Sequence, residues 1–152
     1  MGSGGDAEHV AKITKYLGEL GIPFEQRVAS AHKTPQKLLG ILKKHENDNI
    51  VYITVAGRSD ALSAFTDFHS NVPVVACPPP PKPEDSLPAY LSSTVDTPSG
   101  VGVNFHKHPE SAAIAAAKIL GQKDESILKR LEAYKAKKAS EVEDADTKLH
   151  SM

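Results

Sequence analysis

Ile50-Val51-Tyr52-Ile53-Thr54-Val55 decides the fold. The run is short, continuous and rich in β-branched side chains. A parallel strand covered on both faces requires that composition. Working outward, Val72 to Ala76 (VPVVA) and Val101 to Phe105 read as two more strands, and Pro23 to Ala29 (PFEQRVA) as one that precedes. Helical spacing lies between them. Val10, Ile13, Leu17 and Leu20 share one face of a helix over residues 7–20, with Asp6 as its cap and Gly21 as its stop. Thr34-Pro35 opens a second helix, whose buried face is Leu38, Leu39, Ile41 and Leu42. Ser59 caps a third, running to about His69. Residues 86–95 form a short helix after the stiff proline run Pro78 to Pro81 and Pro83. Residues 109–120 form an Ala-rich helix stopped by Gly121, and its face of Ala112, Ala113, Ala115, Ala116 and Ala117 permits close packing within or between subunits. Residues 124–142 form a long charged helix, and the tail after Glu143 frays. We read residues 1–121 as one domain and residues 122–152 as a helix and tail belonging to it.

Strands alternating with helices give an α/β fold, a parallel sheet covered on both faces. Ligands of such sheets bind beyond the carboxyl ends of the strands. Three groups fall there: Ser30-Ala31-His32-Lys33, Ala56-Gly57-Arg58-Ser59 and Cys77-Pro78. Gly2-Ser3-Gly4-Gly5-Asp6 precedes the first helix. A doubly wound domain ordinarily leads into that Gly-rich turn from a strand, and here Met1 leads into it directly. Either the numbering starts after that strand or the sheet does without it.

The 152 residues suit one domain with a sizeable core, and a formal net charge of −1 supplies no field for nucleic acid or anionic lipid. No apolar run approaches the roughly 20 residues that span a bilayer. MGSGGDAEHV lacks the basic and apolar blocks of a secretory signal. A single cysteine, Cys77, allows no intrachain disulfide, which fits a reducing compartment. The expectation is a cytoplasmic protein without nucleic-acid or membrane partners.

The Gly-rich turn offers N–H groups, a hydroxyl and a helix start, which suit an anion such as phosphate; a plain flexible terminus is the competing reading. It is neither a Walker loop nor G-x-G-x-x-G. His32 is an acid/base candidate near neutral pH, and Lys33 an anchor for phosphate or carboxylate; both are also ordinary surface residues elsewhere. Arg58 follows a buried strand and needs an anion or solvent, and Asp60 is a structural partner for it. Cys77 reads as a small buried apolar residue. His106-Lys107-His108 lacks the companions of a metal site and reads as a surface loop.

In this order, Gly2-Ser3-x-x-Asp6, Gly21-Ile22-Pro23, Ser30-Ala31-His32-Lys33-Thr34-Pro35, Ala56-Gly57-Arg58-Ser59, Cys77-Pro78-Pro79 and Pro98-Ser99-Gly100 resemble the aminoimidazole ribonucleotide carboxylase/mutase family of purine biosynthesis. The resemblance covers roughly residues 2–120. His-Lys rather than His-Arg, together with Ala-Gly-Arg-Ser, resembles the branch that adds CO2 directly (class II) rather than the bacterial mutase. Gly5 stands where the family usually has serine, and Asp60 where asparagine is common.

The resemblance implies a flavodoxin-like three-layer domain in a homo-octamer, with sites shared between subunits and no cofactor: no metal, biotin or ATP. It implies carboxylation of 5-aminoimidazole ribonucleotide at C4 by CO2, the mutase being the nearer rival. His32 would transfer the proton. Ser3 and Asp6 would hold the ribose phosphate region, and Ser30 and Lys33 would help fix phosphate. Ala56, Gly57, Arg58 and Ser59 would line the pocket for CO2 or carboxylate. A diverged, non-catalytic phosphoribosyl-binding module is a second class. A flavin redox protein is a third, and it would want aromatic side chains around the flavin where the chain has no Trp and four Tyr.

Overall fold

The computed structural model describes residues 1–57, 60–81, 83 and 94–151. Three strands are described: β1 (Tyr52–Thr54), β2 (Val74–Ala76) and β3 (Asn104–Phe105). The helices are α1 (Ala7–Glu19), α2 (Pro35–Lys44), α3 (Ala61–Phe68), α4 (Pro109–Leu120) and α5 (Glu125–His150). The sheet order is β1-β2-β3, all parallel, with Thr54 opposite Ala76 and Ala76 opposite Phe105.

The period of two sorts the strand side chains into two cores. Val55, Val75 and Cys77 join Val10, Ile13 and Leu17 of α1, the alanines of α4, and Ile127 and Leu131 of α5. On the opposite face Tyr52 and Ala56 meet Leu38, Leu42 and Leu62 of α2 and α3. This is the three-layer α/β arrangement expected. Ala112, Ala113, Ala116 and Ala117 are buried, so the Ala-rich face is used inside the chain.

The sheet extends past β1 through main-chain bonds alone. The Met1 nitrogen donates to Arg27 C=O at 2.8 Å, and Ala29 N–H donates to Met1 C=O at 3.0 Å. One residue of a parallel ladder makes that pair of bonds. Gly2 N–H donates to Val55 C=O at 2.8 Å on the other side. Met1–Gly2 therefore holds the second position in the order 2-1-3-4-5 of a flavodoxin-type sheet. Between residues 23–27 and residues 50–55, with Met1 in its wall, lies a cavity of about 610 Å³. Residues 23–29 consequently form no strand, contrary to the sequence expectation, because Met1 alone pairs with them.

Other boundaries moved for identifiable reasons. Residues 101–103 are outside β3, and Gly102 N–H bonds Asp67 Oδ2 of α3 at 2.7 Å instead of a strand. Asp60, not Ser59, caps α3, its carboxylate accepting Ser63 N–H at 3.0 Å. Asp6 gives α1 no side-chain cap; its carboxylate accepts from Ser3. α5 continues to His150 instead of fraying after Glu143. No Gly or Pro interrupts residues 122–150, and pairs such as Glu125–Lys129 at 3.0 Å support the helix. The helix expected over residues 86–95 lies largely outside the described residues. Gly21 does end α1, with φ +63°, and Arg130 Nε closes the turn by donating to Leu20 C=O at 2.7 Å. Among the described residues no helix is long and apolar enough to cross a membrane.

Candidate active site

The main-chain ladder brings the singled-out groups to one edge. Ala29 is bonded to Met1, Gly2 to Val55, Cys77 N–H to Thr54 C=O at 2.9 Å, and His106 N–H to Ala76 C=O at 2.8 Å. The residues that follow these positions, 30–33, 3–6, 56–57 and 77–79, must therefore leave the sheet at its carboxyl end. Gly2 lies so close to Ala56 that a Cβ there would sit 3.3 Å from the Ala56 Cβ, so the Gly-rich turn and the Ala56 loop are in contact.

In the Gly-rich turn, residues Gly4–Asp6 form a single 3-10 turn before α1. Asp6 Oδ2 accepts both Ser3 N–H and Ser3 Oγ–H, each at 3.0 Å. The carboxylate thus fixes the serine, while Gly4 and Gly5 N–H stand at a helical start that provides no internal acceptor. A ligand hydroxyl suits Asp6 and an anion suits the glycine amides.

The His32 turn closes on itself. Ser30 N–H donates to Thr34 Oγ1 at 2.9 Å, Thr34 N–H to Ser30 C=O at 2.9 Å, and Lys33 N–H to Ser30 Oγ at 3.2 Å. Thr34 therefore spends its hydroxyl on the turn and not on α2, which has Pro35 at its first position. The backbone of His32 and Lys33 is pinned, and both side chains are exposed, without a hydrogen-bond or ion-pair partner among the described residues. Neither lines the 610 Å³ cavity, which lies between residues 23–27 and β1.

Arg58 and Ser59 lie outside the described residues; Gly57 is exposed and Ala56 half-buried. Thr54 and Asp60, on either side of residues 56–59 in the sequence, belong to a buried polar chain that the sequence reading did not identify. Asp60 is only 3% exposed. Its carboxylate takes Ser63 N–H and, through a short bond, Ser63 Oγ, which in turn meets Thr54 Oγ1 at 2.7 Å. Burial is the main force raising the Asp60 carboxyl above its ordinary range, against its bonds from Ser63, and the charge of Asp6 adds to the rise. The spacing Asp-x-x-Ser was the available signal, since it is that of a helix cap. Asp60 is thus a helix cap.

A second unforeseen pair is His9 and Cys77, both buried, with Nε2 and Sγ 3.6 Å apart. Burial, then Lys12, holds His9 below the usual histidine range. Burial pushes the Cys77 thiol up to about 12, which makes it a poor thiolate nucleophile. The pair joins α1 to the start of the Cys77-Pro78-Pro79 loop. The sequence marked His9 only as helical.

The edge thus presents an amide-rich turn, a carboxylate, an imidazole and an ammonium, a set of groups that suits a sugar phosphate and a proton transfer. Comparison with known proteins points the same way. Residues 1–141 match the AIR carboxylase family. The chain is 40% identical to a phosphoribosylaminoimidazole carboxylase of Archaeoglobus fulgidus over 149 residues, 98% of this chain and 82% of that protein. It is 39% identical to an N5-carboxyaminoimidazole ribonucleotide mutase of Methanocaldococcus jannaschii, covering 100% and 96% of the two chains. The crystal structure of Treponema denticola PurE superposes with a TM-score of 0.91 at 36% identity, over 98% and 94%. Fold, residue order and kinship agree, and the chain belongs to the AIR carboxylase family, the enzymes of purine biosynthesis that include both carboxylases and mutases.

Proposed function

We propose that this chain carboxylates 5-aminoimidazole ribonucleotide at C4 with CO2, with His32 as the general acid/base. The observation that carries the reading is the gathering of the Gly2–Asp6 turn, the Ser30–Lys33 turn and the Ala56 loop at one sheet edge. In the reaction the enamine carbon C4 attacks the carbon of CO2, and one C=O electron pair moves onto oxygen. His32 then takes the C4 proton, and the C–H electron pair restores the aromatic ring. Positioning of two small reactants supplies much of the rate, and the proton step about 100- to 10,000-fold. Ser3 and Asp6 hold the ribose phosphate region, Ser30 and Lys33 fix phosphate, and Ala56, Gly57, Arg58 and Ser59 line the CO2 pocket, where a cation stabilises the new carboxylate.

CO2 chemistry needs water excluded, whereas His32 and Lys33 are exposed in one chain. This favours sites completed between subunits; the homo-octamer is proposed from the family resemblance, and the cytoplasm from the single cysteine, Cys77. The mutase is the second reading, favoured by the likeness to the Methanocaldococcus jannaschii protein. The purified protein is given aminoimidazole ribonucleotide with bicarbonate and, separately, the N5-carboxylated substrate without added CO2. Consumption of the first supports the carboxylase. Consumption of the second alone replaces it with the mutase, and consumption of neither, with retained nucleotide binding, leaves the binding-module reading in place of both.

A further inference from the structure

Pro78 to Pro81 leave the sheet without a main-chain N–H, so no donor of their own ties that segment down. The last ladder bond before them is Cys77 N–H to Thr54 C=O at 2.9 Å. At that point His9 of α1 places its Nε2 3.6 Å from Cys77 Sγ, and both side chains are buried. Farther along the segment, a Cβ built at Gly57 would meet Pro79 Cγ at 3.8 Å, so Pro79 lies against Gly57. Gly57 follows Ala56, which is packed against Gly2. Gly2 opens the turn that leads into α1, the helix that carries His9. The contacts close a circuit at the carboxyl edge: Gly-rich turn, Ala56-Gly57, Pro79, Cys77, His9 and back to the turn.

Packing alone does not ask for an imidazole in that circuit. An apolar side chain at position 9 would fill the space beside Cys77 without desolvating a polar group. Burial, then Lys12, lowers the pKa of His9, against a bond to the Cys77 main chain and the charges of Asp6 and Glu8, so the ring is neutral at neutral pH. A neutral ring offers one donor and one acceptor. Burial keeps the Cys77 thiol protonated, so either group can donate to the other. What the bond supplies is a fixed place for Cys77, where the proline segment starts.

We infer that His9 is a positioning residue: held in α1 and paired with Cys77, it seats the Pro78-Pro79 segment against Gly57 and so sets the wall of the pocket that receives CO2. This rests on the carboxylase reading of the edge. CO2 is small and offers few atoms to grip, so its capture depends on the shape of that wall, where a displacement of about 1 Å costs about 100-fold. In the same reading the nucleotide is held by charge and hydroxyl contacts at Ser3, Asp6, Ser30 and Lys33, and depends on the wall far less.

The test compares the parent protein with His9→Leu, which keeps bulk and loses the bond, with His9→Gln, which restores a donor and an acceptor, and with Pro79→Ala on the loop side. The readouts are KM for bicarbonate and for aminoimidazole ribonucleotide, Tm, and amide exchange at Cys77 and Tyr52. Tyr52 N–H bonds Pro73 C=O at the opposite end of the same ladder. His9→Leu is expected to raise the bicarbonate KM about 10-fold, with the nucleotide KM within about 2-fold, and to speed exchange at Cys77 about 10-fold but not at Tyr52. His9→Gln is expected to recover most of both. An unchanged bicarbonate KM would overturn the inference, as would a loss spread over both substrates that tracks Tm and is not recovered by Gln. Should His9→Leu fail to fold, Pro79→Ala decides: a rise confined to the bicarbonate KM supports the inference, and its absence overturns it. Should the parent not consume aminoimidazole ribonucleotide with bicarbonate, the carboxylase reading fails by itself and exchange decides the positioning. Faster exchange at Cys77 alone then supports the seat that His9 provides, and an equal change at both amides, or none, overturns it.

Discussion

The two sides of β1 are built differently. Toward β2 the ladder runs the length of the strand, from Tyr52 N–H on Pro73 C=O to Cys77 N–H on Thr54 C=O. Toward residues 23–29 it consists of Met1 and Gly2 alone. The first side makes the sheet and the second makes the site, since those few bonds fix where the Gly-rich turn and the His32 turn leave the sheet. The comparison teaches that a sheet edge bearing chemistry needs order only in its last residues. The interior behind it bears mostly on stability.

That separation can be broken by mutation. The largest effect is expected at the edge. His32→Asn should lower turnover about 100-fold or more, with nucleotide binding within a few-fold and Tm unchanged, because the side chain is exposed and has no hydrogen-bond or ion-pair partner among the described residues. Kinetics beside calorimetry checks it, and a fall in Tm matching the loss of rate would mean that the edge and the interior are not separable.

Next come the two walls of β1. Val75→Ala removes a fully enclosed side chain and should cost about 2 kcal/mol. Ile53→Ala removes a larger side chain, but one that is half-buried beside the cavity, and should cost less, about 1 kcal/mol. Urea unfolding of both variants ranks them. The reverse order would show the cavity side to be packed as well as the ladder side.

The smallest effect is one of pH. The buried Asp60 carboxyl titrates above its unfolded value, so the native state holds that proton more tightly. Its contribution is present below the unfolded pKa and is lost as pH rises through the folded one. Asn at position 60 retains an acceptor for Ser63 N–H and cannot ionise. The stability of Asp60→Asn relative to the parent should therefore improve as pH rises from about 4 toward neutrality. A flat difference across that range would place the charge of Asp60 in solvent contact and sever it from the Thr54–Ser63 chain.

Much of this was legible beforehand, for physical reasons that vary by element. IVYITV and VPVVA announced themselves because a strand buried on both faces tolerates mostly apolar, β-branched residues, although the strands themselves are the shorter Tyr52–Thr54 and Val74–Ala76. Gly21 was legible because the backbone there adopts a left-handed φ of +63°. Gly121 was legible as a stop but not in its cause: its φ is −63°, and glycine is needed because a Cβ would lie 2.5 Å from Leu128. Residues 23–29 alternate like a strand and are none, since alternation reports a face and not a partner. The Asp60–Ser63–Thr54 chain and the His9–Cys77 pair join residues 9 and 68 positions apart, and no local pattern encodes such distances.

The amino-acid order by itself determined the α/β class, the parallel sheet and the residue types at its carboxyl edge, because periodicity, glycine and proline act over a few residues. Only the tertiary structure decided that Met1 pairs with Arg27 and Ala29, that Asp60 caps a helix beside the Ala56 loop, and that His32 is exposed. Those outcomes depend on which distant main chains come within hydrogen-bonding reach, and that is settled when the layers pack.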